Sequence, residues 1–296
     1  MNYIIETKNL TKEFHNKIAA NHINMHIQAG EIYGFIGKNG AGKTTTMKLL
    51  LGMELSTSGE IVLFGNKNLN EARKHIGGLI EAPGIYKNCS AYENLKRFSV
   101  IYGGTEQEIQ EILTLVGLSD TGKKPAGKFS LGMRQRLGIA IALLGNPKLL
   151  ILDEPINGLD PAGIKEIRDL ILKINKDRNV TILISSHLLD ELSKIVTTYG
   201  IINNGILIEE ISSAELLSRC KQYFKLIVSP LEKAATLLKE NFHFKTITIE
   251  ENCIKITDEI NCIPDVISHL VQNNIAVHEA AMVKCNLEDY FIERMV

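Results

Sequence analysis

The chain has 296 residues, 45% hydrophobic and 23% charged, an ordinary globular balance with room for one large domain and a smaller one. Its formal net charge is −1 with no basic stripe, which argues against a nucleic-acid partner, and no stretch approaches the ~18 uninterrupted apolar residues of a membrane span. The cysteines (Cys89, Cys220, Cys253, Cys262 and Cys285) are scattered without paired spacing, the pattern of reduced thiols, and the start MNYIIETKNL has no signal-peptide character.

In chain order, Tyr3–Thr7 and Ala20–Ile27 alternate in part and predict strands, followed by a turn at Ala29-Gly30-Glu31. Ile32–Ile36 is a short apolar run ending in glycine-rich sequence, and Lys43–Leu51 has helical spacing. A buried strand, a glycine loop and a helix open a parallel α/β sheet. From about Pro83 to Asn146 the texture turns helical. Tyr92–Tyr102, Glu106–Val116 and Leu131–Leu144 repeat apolar residues with helical period, which predicts a helical insert. Leu149–Leu152 and Thr181–Ser185 are wholly apolar or β-branched, as strands covered on both faces are, and the helix Ile164–Asn175 between them completes a βαβ unit. These segments make residues 1–210 one α/β domain, with its helical part at about 83–146.

Near residue 210 the character changes. Ser212-Ser213-Ala214-Glu215 has capping-box spacing before a short helix. Beyond it come strand Tyr223–Val228, helix Leu231–Asn241, strands Lys245–Glu250 and Cys253–Thr257, helix Pro264–Asn274 and strand Ala276–Ala281. That order, βαββαβ, predicts a small α+β domain of the ferredoxin-like kind over residues 211–296, with a last helix at about Leu287–Met295.

Three segments carry chemistry. Gly37-Lys38-Asn39-Gly40-Ala41-Gly42-Lys43-Thr44 fits G-x-x-x-x-G-K-[ST] between a buried strand and a helix, the context that motif requires. Its glycines let backbone N–H groups ring a phosphate, and the following helix directs its positive end at the same anion. Lys43 reaches β- and γ-phosphates, the Thr44 hydroxyl suits Mg²⁺, and Thr45 is counted with the nucleotide contacts. Leu149–Leu152 ends in Asp153 and Glu154; paired with such a loop, Asp153 suits Mg²⁺ and Glu154 the attacking water. Phe129-Ser130-Leu131-Gly132-Met133-Arg134-Gln135-Arg136 places a serine and a glycine at a helix start, which by itself reads as an N-cap.

The order of these segments, with Gly158-Leu159-Asp160 and then His187 after a strand, resembles the ATPase subunit of an ATP-binding-cassette (ABC) transporter over about residues 1–210. The resemblance implies that Ser130 and Gly132 form the signature motif, touching the γ-phosphate held by the opposite copy of a homodimer assembled on ATP. It implies that Asp160 belongs to the loop crossing that interface, that His187 contacts the γ-phosphate, and that Phe14 stacks on adenine. It also implies attachment to the cytoplasmic face of the cell membrane through membrane-spanning permease subunits, pulled through the insert near Glu81–Tyr92.

Two departures stand out. Glu81 replaces the family's usual glutamine at the end of the strand entering the insert, and its carboxylate suits Mg²⁺ or the water. Leu131 and Met133 stand where glycine and glutamine are common. With Asp153-Glu154-Pro155-Ile156-Asn157-Gly158-Leu159-Asp160-Pro161 and the ending Asn286-Leu287-Glu288-Asp289-Tyr290-Phe291, the chain is similar to the ATPases of bacitracin-resistance and lantibiotic self-immunity transporters. An exporter of lipid, drug or polysaccharide fits the same motifs. Soluble relatives that act on DNA or ribosomes carry long coiled coils or paired cassettes, and a nucleotide kinase lacks the signature serine and the switch histidine.

Overall fold

The computed structural model describes residues 3–15, 17–220, 223–242, 244, 246–250, 252–257, 263–283, 290–291 and 294. Two units divide the chain: one runs to Ser213 and takes in Arg294, the other begins at Ala214.

In the first unit, β1 (Tyr3–Phe14) pairs with β2 (Lys17–Ile23) and β3 (His26–Gln28). The strand expected over Ala20–Ile27 is therefore broken. Thr7 of β1 causes the break: its hydroxyl donates to the Ile23 carbonyl and accepts from the Met25 amide, both at 2.8 Å. The chain continues through β4 (Ile32–Ile36), α1 (Lys43–Leu51), β5 (Ser58–Leu63), α2 (Leu69–Arg73) and β6 (Ile76–Leu79). The helical insert follows, as α3 (Ala91–Tyr102), α4 (Glu106–Leu115) and α5 (Leu131–Ala142). Each of these helices starts on a hydroxyl cap: Ser90, Thr105 and Ser130 accept from the amides of Glu93, Glu108 and Met133.

The chain then returns to the sheet through β7 (Leu149–Asp153), α6 (Pro161–Arg178), β8 (Thr181–Ser186), α7 (Leu189–Leu192), β9 (Thr198–Asn203) and β10 (Ile206–Ser212). A six-stranded sheet of order β10-β9-β4-β8-β7-β6 carries the core; all neighbours are parallel except the β10–β9 hairpin at its edge. Every residue of β4, β7 and β8 is buried, as their continuous apolar runs predict. Helix α6 exceeds the expected Ile164–Asn175 because Asp160 caps it, Pro161 opens it, and Asn179 ends it in the left-handed conformation at φ 51°.

In the second unit, α8 (Ser213–Arg219) precedes β11 (Tyr223–Ser229), α9 (Leu231–Phe242), β12 (Ile247–Glu250), β13 (Cys253–Ile256), α10 (Ile263–Gln272) and β14 (Ala276–Val283). Its antiparallel sheet has the order β12-β13-β11-β14. Alternate residues Phe224, Leu226, Val228, Ile254 and Ile256 bury themselves against Ala234, Leu238, Val266 and Leu270 of the two helices. Apart from Tyr290, Phe291 and Arg294, the expected last helix lies outside the described residues. Among the described residues, no helix is long and apolar enough to cross a membrane.

Candidate nucleotide-binding and catalytic site

β4 delivers the chain to the phosphate loop from the middle of the sheet, so the loop stands at the carboxyl ends of the parallel strands. Gly42 caps α1 at φ 108°, and a side chain there would run into the Ala19 carbonyl oxygen. Gly40 has φ 79° and open space around it, so backbone conformation alone demands a glycine. No carboxylate enters the first turn of α1 and no side chain caps it, which leaves its N–H groups for an anion. Lys43 is buried and its ammonium lies 2.6 Å from the Gly37 carbonyl and 3.7 Å from Glu154 Oε1.

Two acids close the opposite wall. Asp153 ends β7 in register with Ser185 of the parallel strand β8. Its Oδ2 accepts from the Thr44 hydroxyl at 2.7 Å and its Oδ1 from the Ser185 hydroxyl at 2.6 Å. Ser185 Oγ in turn accepts from the Glu154 amide at 2.9 Å. Glu154 is held in the left-handed region, φ 49°, unusual for a residue with a side chain. That turn sends its carboxylate back over the loop. Oε2 meets His187 Nδ1 at 2.9 Å, whereas Oε1 is buried without a hydrogen-bond partner. An orphaned acceptor beside the loop's lysine is a place for a polar ligand or a water.

Phe14, 40% exposed, and Lys17, its cross-strand partner, border a groove of about 340 Å³ that also takes in Asn39, Gly40, Gly42, Lys43, Thr44, Thr45 and Glu154. An exposed aromatic ring stands in this groove together with backbone amides, an ammonium and a carboxylate, a fit for a nucleoside polyphosphate. The Thr44 hydroxyl and the Asp153 carboxylate form a hard oxygen donor set of the kind Mg²⁺ takes. Lys38 and Ala41 belong to the same loop, Ala41 buried and Lys38 contributing its carbonyl to Lys43 at 3.4 Å.

The remaining sequence candidates lie apart from the groove. Ser130 caps α5 through a 3.2 Å bond from the Met133 amide, and Asp160 caps α6 through a 3.1 Å bond from the Gly163 amide. A Cβ at Gly132 would lie 3.7 Å from the Leu159 side chain, so the start of α5 lies against the residue that precedes Asp160. Neither Ser130, Gly132 nor Asp160 lines the groove. Glu81 has φ 61° and its carboxylate meets Lys48 of α1 at 2.7 Å. The hydrogen bond to Glu81 does most to hold the Lys48 ammonium above the usual lysine range; burial opposes it as the next-largest effect, and the charges of Glu81, Asp153 and Glu54 add to the rise.

Sequence reasoning missed Ser185 and Lys48. Ser185 carries a signal only once the register of β7 and β8 is known. Lys48 follows from helix geometry: it stands one turn beyond Thr44 on the same face of α1.

Residues 20–157 match the family described as ABC transporter. The bacitracin transport ATP-binding protein BcrA of Bacillus licheniformis is 44% identical over 99% of this chain and 97% of its own length. The lantibiotic transport ATP-binding protein SrtF of Streptococcus pyogenes is 45% identical over 70% of this chain and 90% of its own. A solved structure of CbiO1 from Clostridium perfringens, part of the ABC transporter complex CbiONQ, aligns at a TM-score of 0.66 and 26% identity, covering 82% of this chain and 97% of that one.

Proposed function

The chain belongs to the ATP-binding, ATP-hydrolysing subunits of ABC transporters, and we propose that it powers the removal of a peptide antibiotic of the bacitracin or lantibiotic type. Supporting that substrate class are the names of two relatives above 40% identity and the glutamate at position 81. The work is done at the cytoplasmic face of the membrane through permease subunits, where the protein is peripheral.

In this reading the adenine stacks on Phe14 and the phosphates sit among the amides of Gly37, Lys38, Asn39, Gly40, Ala41 and Gly42, with Lys43, Thr44 and Thr45 at the β- and γ-phosphates. Mg²⁺, when bound, supplies positive charge against the phosphates. Thr44 and Asp153 are the residues fit to hold it, and Glu81 is a third candidate once it leaves Lys48. Glu154 Oε1 accepts a hydrogen bond from the attacking water and draws its proton as the bond to the γ-phosphorus forms and the bond from that phosphorus to the β,γ-bridging oxygen breaks, with ADP as the leaving group. His187 steadies Oε2 and faces the γ-phosphate. Ser130, Gly132 and Asp160, outside the groove, serve the groove of a second copy in a head-to-tail homodimer. Each hydrolytic site is thus composite, and closure of the pair shifts the permease. We read the C-terminal unit as a ferredoxin-like accessory domain, supported by its βαββαβ order and by the fourth and third strands flanking the first.

The orphaned, buried Oε1 of Glu154 carries this reading. Glu154→Gln keeps the shape and loses the base. It should bind ATP, hydrolyse it about 10²–10⁴-fold more slowly, and accumulate as a dimer in size-exclusion chromatography with ATP. Co-expressed with its permease in a sensitive strain, the wild-type chain should raise bacitracin or lantibiotic tolerance and the variant should not. Persistent monomer would sink the composite site; tolerance to neither antibiotic would sink the substrate class.

A further inference from the structure

Asn94, on the second turn of α3, has no exposed surface. Its Oδ1 accepts from the Tyr86 amide at 2.7 Å. Its Nδ2 donates to the carbonyls of Ser90 at 2.8 Å, Tyr86 at 3.1 Å and Cys89 at 3.3 Å. Asparagine is a poor helix former, so α3 itself gains little from it. Its whole polar capacity goes to the turn Tyr86–Ser90 that precedes the helix.

That turn is bound to the segment leading into α5. The Gly127 amide donates to the Lys87 carbonyl at 2.7 Å and the Ala126 amide to the Cys89 carbonyl at 2.8 Å. A Cβ at Gly127 would lie 3.0 Å from the Lys87 carbonyl oxygen, so the two backbones are at closest approach. Ser130 follows three residues later. Upstream, Pro83 rests on Gly138 of α5, where a Cβ would come within 2.7 Å of the proline ring. The stretch from Glu81 to Ser90 therefore grips α5 at two points, just ahead of its cap and two turns along.

We propose that Asn94 is a positioning residue for Ser130. It locks Tyr86–Ser90 into a rigid strap, so that displacement of the Glu81 loop reaches the signature serine instead of being absorbed by a soft turn. This rests on the composite-site reading above. It adds a residue that touches neither nucleotide nor permease but sets how well Ser130 meets the γ-phosphate of the partner copy.

The test uses the full chain carrying Glu154→Gln, with a fluorescent ATP analogue for binding and light scattering for dimerisation. Added Asn94→Ala should leave analogue affinity within about twofold and raise the concentration for half-dimerisation at least about tenfold. Gly127→Ala, which presses on the Lys87 carbonyl from the other side and leaves Asn94 intact, should move dimerisation the same way; it decides the matter if Asn94→Ala does not fold. A merely structural asparagine would lower binding, dimerisation and melting temperature together. If Glu154→Gln dimerises and both added changes leave that unaltered, the strap is wrong and the composite site stands. If Glu154→Gln alone stays monomeric with ATP, the composite site fails and takes the strap with it.

Discussion

Glu81 puts a negative charge on the loop entering the helical insert, and its partner tells how that charge is managed. Left unpaired, the Glu81 carboxylate would add repulsion to that of Asp153, whose charge reaches the same lysine. Lys48 meets it at 2.7 Å and answers the charge. The Glu81 side chain is 67% exposed, and an exposed pair of this kind contributes ~0–1 kcal/mol to stability. Its loss therefore should not unfold the protein. Glu81→Ala should lower antibiotic protection well beyond any change in ATP binding, at an unchanged melting temperature. Lys48→Met should impair protection in the native chain and do far less when Glu81→Gln has already removed the charge. Protection that survives Glu81→Ala at normal expression would make Glu81 an ordinary loop acid.

At the scale of elements, α5 and β6 pack backbone against backbone at Gly77. A Cβ at Gly77 would overlap the Ala142 carbonyl oxygen, whereas at Gly78 it would lie 3.0 Å from the ends of the Leu51 side chain. Backbone cannot yield as a leucine rotamer can, and overpacking of this kind costs about 1–3 kcal/mol. Gly77→Ala should lower the melting temperature by roughly 2–12 °C and Gly78→Ala by much less; equal effects would mean that α5 is free to move off the sheet. The sequence announced most of these elements. β4, β7 and β8 are apolar or β-branched runs, the insert helices repeat with a helical period, and the phosphate loop falls between a strand and a helix. What stayed hidden depends on partners far along the chain. The break after Ile23 needs Thr7, sixteen residues away. The β9–β10 hairpin is masked by Glu210, an acid in a strand, whose carboxylate accepts from the Tyr33 hydroxyl at 2.7 Å and meets His26 at 2.8 Å. The site divides in the same way. Lys43, Thr44, Asp153 and Glu154 are legible as motifs, but the left-handed turn of Glu154 and the hydroxyl bridge through Ser185 exist only once the strands are in register.

For the whole molecule, the two units carry separate cores. The cluster around Ile5, Phe35, Leu50 and Ile151 shares no residue with the cluster around Phe224, Leu238 and Leu270. All residues bordering the groove at the phosphate loop belong to the first unit. A ligand stabilises only the unit whose folded state binds it, by ~2.7 kcal/mol at a concentration of 100 Kd. For a unit of this size that corresponds to a shift of roughly 5–11 °C. Calorimetry of the Glu154→Gln chain should therefore resolve two transitions, of which ATP with Mg²⁺ moves one and leaves the other in place. The unmoved transition should vanish when the chain is cut after Ser213, and the shifted one should remain. One transition that moves as a whole would mean that the units melt cooperatively, and the C-terminal unit would then be part of the nucleotide-responsive body instead of an appendage to it.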